Sequence, residues 1–105
     1  MGKPEGIVET YMRKRANEMG FLFYKFISPA NSGVPDRVVI GNGYAFFVEI
    51  KKSPTEEPRK LQKRIINRMI EHGAAVYVIG SKEDADILLQ SYAEKKPQKP
   101  KKLAD

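Results

Sequence analysis

Asn42-Gly43 is the feature that most narrows what this chain can become. It lies between the apolar runs Val38-Val39-Ile40 and Tyr44-Ala45-Phe46-Phe47-Val48, and Asn-Gly in that setting favours a two-residue hairpin turn, because both residues tolerate positive φ. Register follows from the turn. With Gly41 opposite Tyr44, Ile40 falls against Ala45, Val38 against Phe47 and Asp36 against Glu49. Facing side chains in an antiparallel pair have Cβ atoms roughly 4.5–5.5 Å apart, and two like charges so placed repel. A cation between them reverses that sign. Lys51 lies two residues beyond Glu49 and projects from the same face of the strand, so its ammonium reaches whatever such a cation holds. The plain alternative is that Asp36, next to Pro35, is a turn residue and that Glu49 and Lys51 are ordinary strand-end charges.

Around this hairpin the chain alternates helices and strands. Pro4 fits the first turn of a helix running to about Met19, with Gly20 as its stop. Val8, Met12, Ala16 and Met19 form its apolar stripe, and Glu9 and Glu5 share the flank of that stripe, so either acid could be carried toward the sheet. Phe21 to Ile27 reads as a first strand, Ser28 to Pro35 as a polar loop, and Asp36 to Ile40 and Tyr44 to Lys52 as the hairpin. The hairpin strands are apolar on both faces, which predicts cover on each side. Pro58 opens a second helix that carries Leu61, Ile65, Ile66, Met69 and Ile70 and ends at His72-Gly73. Ala75 to Ile79 reads as a buried strand, and Ser81 with Asp84 resembles a capping box for a last helix to about Tyr92. The connection through the second helix implies a right-handed crossover to a parallel fourth strand. The class is α/β: a sandwich with a mixed central sheet flanked by helices, in the order α-β-β-β-α-β-α.

Length and composition bound the chemistry. With 105 residues there is room for one domain with a modest core. There is no cysteine and a single histidine, His72, which excludes a disulfide frame, a thiolate zinc site and a histidine-rich centre. Any metal must be oxygen-bound. No apolar run approaches the length of a membrane span and the N-terminus lacks a signal-peptide core, so a cytoplasmic location is expected. The net charge of +6 points to a polyanionic partner. Part of it sits in a basic, proline-containing stretch, 94–105, expected to be a disordered tail behind a single domain of 1–93, and part in Arg59, Lys60, Lys63, Arg64 and Arg68. His72, beside Gly73, is most simply a favourable charge at a helix C-terminus.

Taken together, Lys25-Phe26-Ile27-Ser28-Pro29, Gly33-Val34-Pro35-Asp36-Arg37, Phe47-Val48-Glu49-Ile50-Lys51 and then Gln62 resemble the VRR-NUC (virus-type replication-repair nuclease) family of the PD-(D/E)XK nucleases, and most of all its small stand-alone phage and bacterial members. The resemblance covers roughly residues 5–80. It implies a restriction-endonuclease-like sandwich and a divalent-metal nuclease, with stand-alone members linked to branched DNA. Position by position it implies metal binding by Asp36, Glu49 and the helical Glu9, catalytic assistance by Lys51 and a supporting role for Gln62. Glu5 competes with Glu9 for the helical position, and the match to the family favours Glu9.

The chemistry these residues suit is phosphodiester hydrolysis, which needs an activated water, neutralised phosphoryl oxygens and a stabilised leaving oxygen. Magnesium binds oxygen donors while keeping several waters, so two or three carboxylates with the carbonyl of Ile50 leave room for water and phosphate, and manganese should substitute. Lys51 is expected to orient water and stabilise phosphorane charge rather than to accept the proton. Lys25, Ser28, Lys52, Lys60 and Lys63 are candidate phosphate contacts. The leading reading is a Mg²⁺-dependent DNA endonuclease of replication, repair or recombination, acting on branched or nicked duplexes, including four-way junctions. One site per chain makes a homodimer the natural arrangement for paired cuts, with the last strand and helix as the expected interface. The alternatives are a non-catalytic nucleic-acid-binding module on a nuclease fold, which would gain by losing its carboxylates, and a restriction-like nicking enzyme, for which little chain is left over to read sequence.

Overall fold

The computed structural model describes residues 6–104. Its elements are α1 (Ile7–Glu18), β1 (Leu22–Lys25), β2 (Arg37–Gly41), β3 (Tyr44–Ile50), α2 (Lys60–Glu71), β4 (Val76–Ile79) and α3 (Lys82–Ala93). The sheet runs β1-β2-β3-β4, antiparallel up to β3 and parallel between β3 and β4. This is the predicted order, with the predicted parallel fourth strand. Pro4 and Glu5 lie outside the described residues, and α1 begins after Gly6.

The hairpin forms because its turn residues accept the geometry it needs. Asn42 has φ 54° and Gly43 φ 93°, the two positive values of a type I′ turn, whose twist matches the strands it joins. Register is as the spacing requires, with Gly41 opposite Tyr44 and Arg37 opposite Val48. Asn42 also donates its amide to the carbonyls of Tyr92 and Ala93, so the turn satisfies the free end of α3. At the other end of that helix, Ser81 Oγ accepts from the Asp84 amide at 3.0 Å.

Alternation along the strands sends Val39, Phe46 and Val48 to one face, where they pack with Val8, Met12, Ala16, Leu88, Leu89 and Tyr92 of α1 and α3. Phe46 stacks on Tyr92 with centroids 3.8 Å apart, and Tyr11 of α1 donates to Asp86 of α3 at 2.7 Å. The other face of β3, with Phe47 and Glu49, is the side α2 covers, since Gln62 of α2 reaches Glu49 there.

Two expectations are corrected here. The hairpin strands are not covered on both sides: α2 shields the β3–β4 half, and Leu22, Tyr24 and Ile40 on the β1–β2 half are 48, 54 and 38% exposed. One helix is too narrow to cover four strands. Of the stretch 94–105, expected to be a disordered tail, residues 95–104 are docked instead. Lys95 turns the chain with φ 58°, Gln98 accepts from the Tyr77 hydroxyl at 2.6 Å, and Asn67 pairs with both backbone groups of Leu103 at 2.9 and 2.7 Å. The segment thus runs beside β4, an edge strand expected to serve as an interface. Among the described residues no helix is long and apolar enough to cross a membrane.

Candidate active site

The site is assembled where β2 begins and β3 ends. One step beyond the Arg37–Val48 pair, the register brings Asp36 opposite Glu49. Asp36 stays partly exposed, with one carboxylate oxygen 3.5 Å from the Ile50 amide. Glu49 is only 4% exposed. Its Oε2 accepts from Gln62 Nε2 at 2.8 Å and lies 3.3 Å from Lys51 Nζ. Lys51 in turn donates to Gln62 Oε1 at 3.0 Å, so the three side chains close a ring. Glu49 Oε1 is buried with no hydrogen-bond partner. Burial, and then the charge of Asp36, push the Glu49 carboxyl above its ordinary value, against the opposing pull of Gln62 and Lys51.

Backbone contacts fix this arrangement. The Lys51 amide donates to the Ile79 carbonyl at 2.8 Å, and the Asp36 carbonyl accepts from Phe26 at 2.9 Å. Gly33 supports it from below. A Cβ on Gly33 would lie 2.7 Å from Ile65 Cγ1 and 3.1 Å from the Leu61 carbonyl, so glycine lets the loop before Asp36 close on α2, the helix that carries Gln62, without displacing either.

Glu9 is placed differently from the other two acids. Its Oε1 is held by Arg37 Nε at 2.9 Å, and Arg37 Nη1 contacts the Asp36 carbonyl at 2.8 Å and stands 3.7 Å from its carboxylate. Arg37 thus stands between Glu9 and Asp36. Glu9 Oε2 is buried without a partner, like Glu49 Oε1. Among the described residues no three carboxylates or histidines lie together as a ready metal cage. A hard ion of the magnesium type needs only one or two carboxylates, with water and phosphate oxygens for the rest, and Asp36, Glu49 and the Ile50 carbonyl could provide that much.

The chain is 38% identical over 85 residues, 80% of its own length and 90% of the relative's, to "Putative nuclease p44" of Acyrthosiphon pisum secondary endosymbiont phage 1. A solved structure described as a "VRR_NUC domain" superposes with a TM-score of 0.75 at 35% identity, covering 81% of this chain and 92% of that one. The chain belongs to the VRR-NUC family. No family model matches it.

Of the residues singled out from the sequence, this VRR-NUC domain brings together Asp36, Glu49, Ile50, Lys51 and Gln62. The five phosphate candidates are spread over β1, the loop after it, the end of β3 and the start of α2. Lys25 is exposed at the end of β1 and Lys52 just after β3, while Lys60 is exposed in the first turn of α2. Ser28 is engaged in a local turn, accepting from Asn31 at its hydroxyl (3.1 Å) and its carbonyl (2.9 Å). Lys63 is mostly buried and stands 3.5 Å from Glu57. His72 Nδ1 lies 2.7 Å from the Arg68 carbonyl at the end of α2, the end-of-helix place expected for it.

Sequence reasoning missed Arg37 and Gly80. The position of Arg37, directly after the acid, was the available signal. Gly80 follows β4, and a Cβ there would lie 2.5 Å from the Ser53 carbonyl, so it packs against the loop that follows Lys51.

Proposed function

We propose that this VRR-NUC domain is a Mg²⁺-dependent DNA endonuclease, with Mn²⁺ able to substitute, acting as a homodimer on branched or nicked duplexes in replication, repair or recombination. One observation carries the reading. Glu49 keeps a buried oxygen unpartnered opposite Asp36, while Gln62 and Lys51 hold its other oxygen. An orphaned buried carboxylate oxygen is costly, and a cation is the partner that a second carboxylate at the same place favours. The name of the phage relative, a nuclease, points the same way.

Asp36, Glu49 and the Ile50 carbonyl would hold the ion, and Glu9, with its own unpartnered buried oxygen, would complete the acidic set. When bound, the ion supplies an activated water and neutralises charge on the phosphoryl oxygens. The remaining work falls to side chains. The Lys51 ammonium has three donors, and its contacts with Gln62 and Glu49 leave one to aim at a phosphoryl oxygen or the attacking water. It acts as a donor and a fixed positive charge. Gln62 positions both neighbours, since it donates to one and accepts from the other.

Cleavage of a labelled panel of linear, nicked, flapped and four-way DNA with Mg²⁺ or Mn²⁺ tests the proposal. Asp36→Ala and Glu49→Ala should abolish cutting while leaving DNA binding unchanged or tighter. Lys51→Ala should lower turnover by roughly 10²–10⁴, the range for a lost acid-base or electrostatic group. Full activity of Asp36→Ala or Glu49→Ala with magnesium overturns the site.

A further inference from the structure

Helix α2 has a second face that the active site does not use. Gln62 turns toward Glu49, and at 3.6 residues per turn Lys60, Arg64, Asn67, Arg68 and Glu71 fall on the opposite side. They line an open groove of about 540 Å³. Among the described residues, Lys60, Arg64 and Arg68 make no ion pair. The acid that bears on this row is Glu71, whose carboxyl Arg68 also helps to hold down.

The acid in this groove, Glu71, is neutralised. Lys102 Nζ lies 2.6 Å from Glu71 Oε2, and that contact holds the Glu71 carboxyl below its ordinary range. The lysine is delivered by the two hydrogen bonds between the Asn67 side-chain amide and the Leu103 backbone, at 2.9 and 2.7 Å, so one residue of the stripe anchors the segment that masks another. What remains is a row of cations from Lys60 to Arg68, about 12 Å long at 1.5 Å per residue. Laid along a duplex axis, that length passes roughly three to four phosphates of one strand, at about 3.4 Å of rise for each.

We infer that the outer face of α2, completed by the docked segment 95–104, binds the phosphate backbone of a DNA arm other than the one being cut, with Lys102 acting by masking Glu71. The inference rests on the nuclease reading and adds a footprint to it. A helix with its side chains is roughly 10–12 Å across, so a phosphate on Arg64 or Arg68 is separated from the carboxylates by the body of α2. Two arms that diverge at a branch can occupy both faces of one helix.

The test is binding of fluorescent four-way and linear DNA by the full chain in EDTA, across a salt series. Each phosphate contact contributes about 0.9 to the slope of log K against log salt. For Arg64→Ala/Arg68→Ala the slope on four-way DNA should fall by about 2, while the slope on linear duplex stays as it was. Lys102→Ala should weaken four-way binding by uncovering Glu71, and adding Glu71→Gln to it should restore the affinity. A wild-type slope on four-way DNA in the double arginine variant overturns the inference, and failure of Glu71→Gln to rescue Lys102→Ala overturns the masking role. A protein that cuts no DNA with either metal ion sinks the nuclease reading instead, so the two failures are distinguishable.

Discussion

Glu49 shows how one residue can be a cost to the fold and an asset to the site. Burial and the facing Asp36 raise its carboxyl above the ordinary 4.5, so between that value and the raised one the folded chain binds a proton that the unfolded chain has lost. The sign follows from linkage: stability falls as pH rises through that interval, because the fold must then accept a buried carboxylate. Glu49→Gln keeps the shape without the charge. In EDTA its melting temperature should match the parent near pH 4 and exceed it increasingly toward neutrality. A parent that gains on the variant as pH rises would mean that Lys51 and Gln62 outweigh burial and Asp36. The Asp36–Glu49 opposition was legible in the sequence because a two-residue turn fixes register by counting. The Glu9–Arg37 pair was not, because it joins a helix to a strand across 28 positions of chain and no local pattern encodes it.

At the scale of elements, the sequence was legible wherever local chemistry decides. The Asn42-Gly43 turn, the Ser81 cap and the Gly73 stop with φ 96° all stand where turn and cap preferences place them. The uncovered β1–β2 face escaped prediction because an apolar run does not say which of its faces a neighbour covers. The docking of segment 95–104 escaped for a related reason: its hydrogen bonds are largely backbone groups meeting Ser91, Asn67 and Tyr77, which composition does not reveal. Two glycines govern how the elements meet around the site, and they should differ in severity. A Cβ on Gly33 meets mainly the Ile65 and Leu61 side chains, which can give, whereas one on Gly80 meets the Ser53–Pro54 backbone at 2.5–2.9 Å. Gly33→Ala should therefore cost about 1–3 kcal/mol, the range for an overpacked contact, and Gly80→Ala more. Denaturant melts order the two. Gly33→Ala should also slow cleavage in its folded form, because it moves the Asp36 loop off α2; unchanged single-turnover rates would show that this loop tolerates displacement.

At the scale of the whole molecule, the described residues assemble one carboxylate site, and paired incision across a four-way junction needs two sites at a fixed separation. A homodimer related by a two-fold axis supplies them with one interface used twice. The fold leaves material for such a contact, since Leu22, Tyr24 and Ile40 remain exposed on the open half of the sheet, while β4, the strand expected to pair, already has segment 95–104 beside it. Branched-DNA preference and dimerisation should therefore appear together. Sedimentation should show a dimer at micromolar concentration, and a mixture of active and Glu49→Ala chains should form heterodimers that nick one strand of a four-way junction and leave the opposite strand whole. If the mixture yields only uncut and doubly cut junctions, the two sites do not act from one assembly. If the chain sediments as a monomer with and without DNA and cuts linear duplex as readily as junctions, the branched-substrate proposal falls and the proposal of a metal-dependent DNA nuclease stands without a preferred substrate.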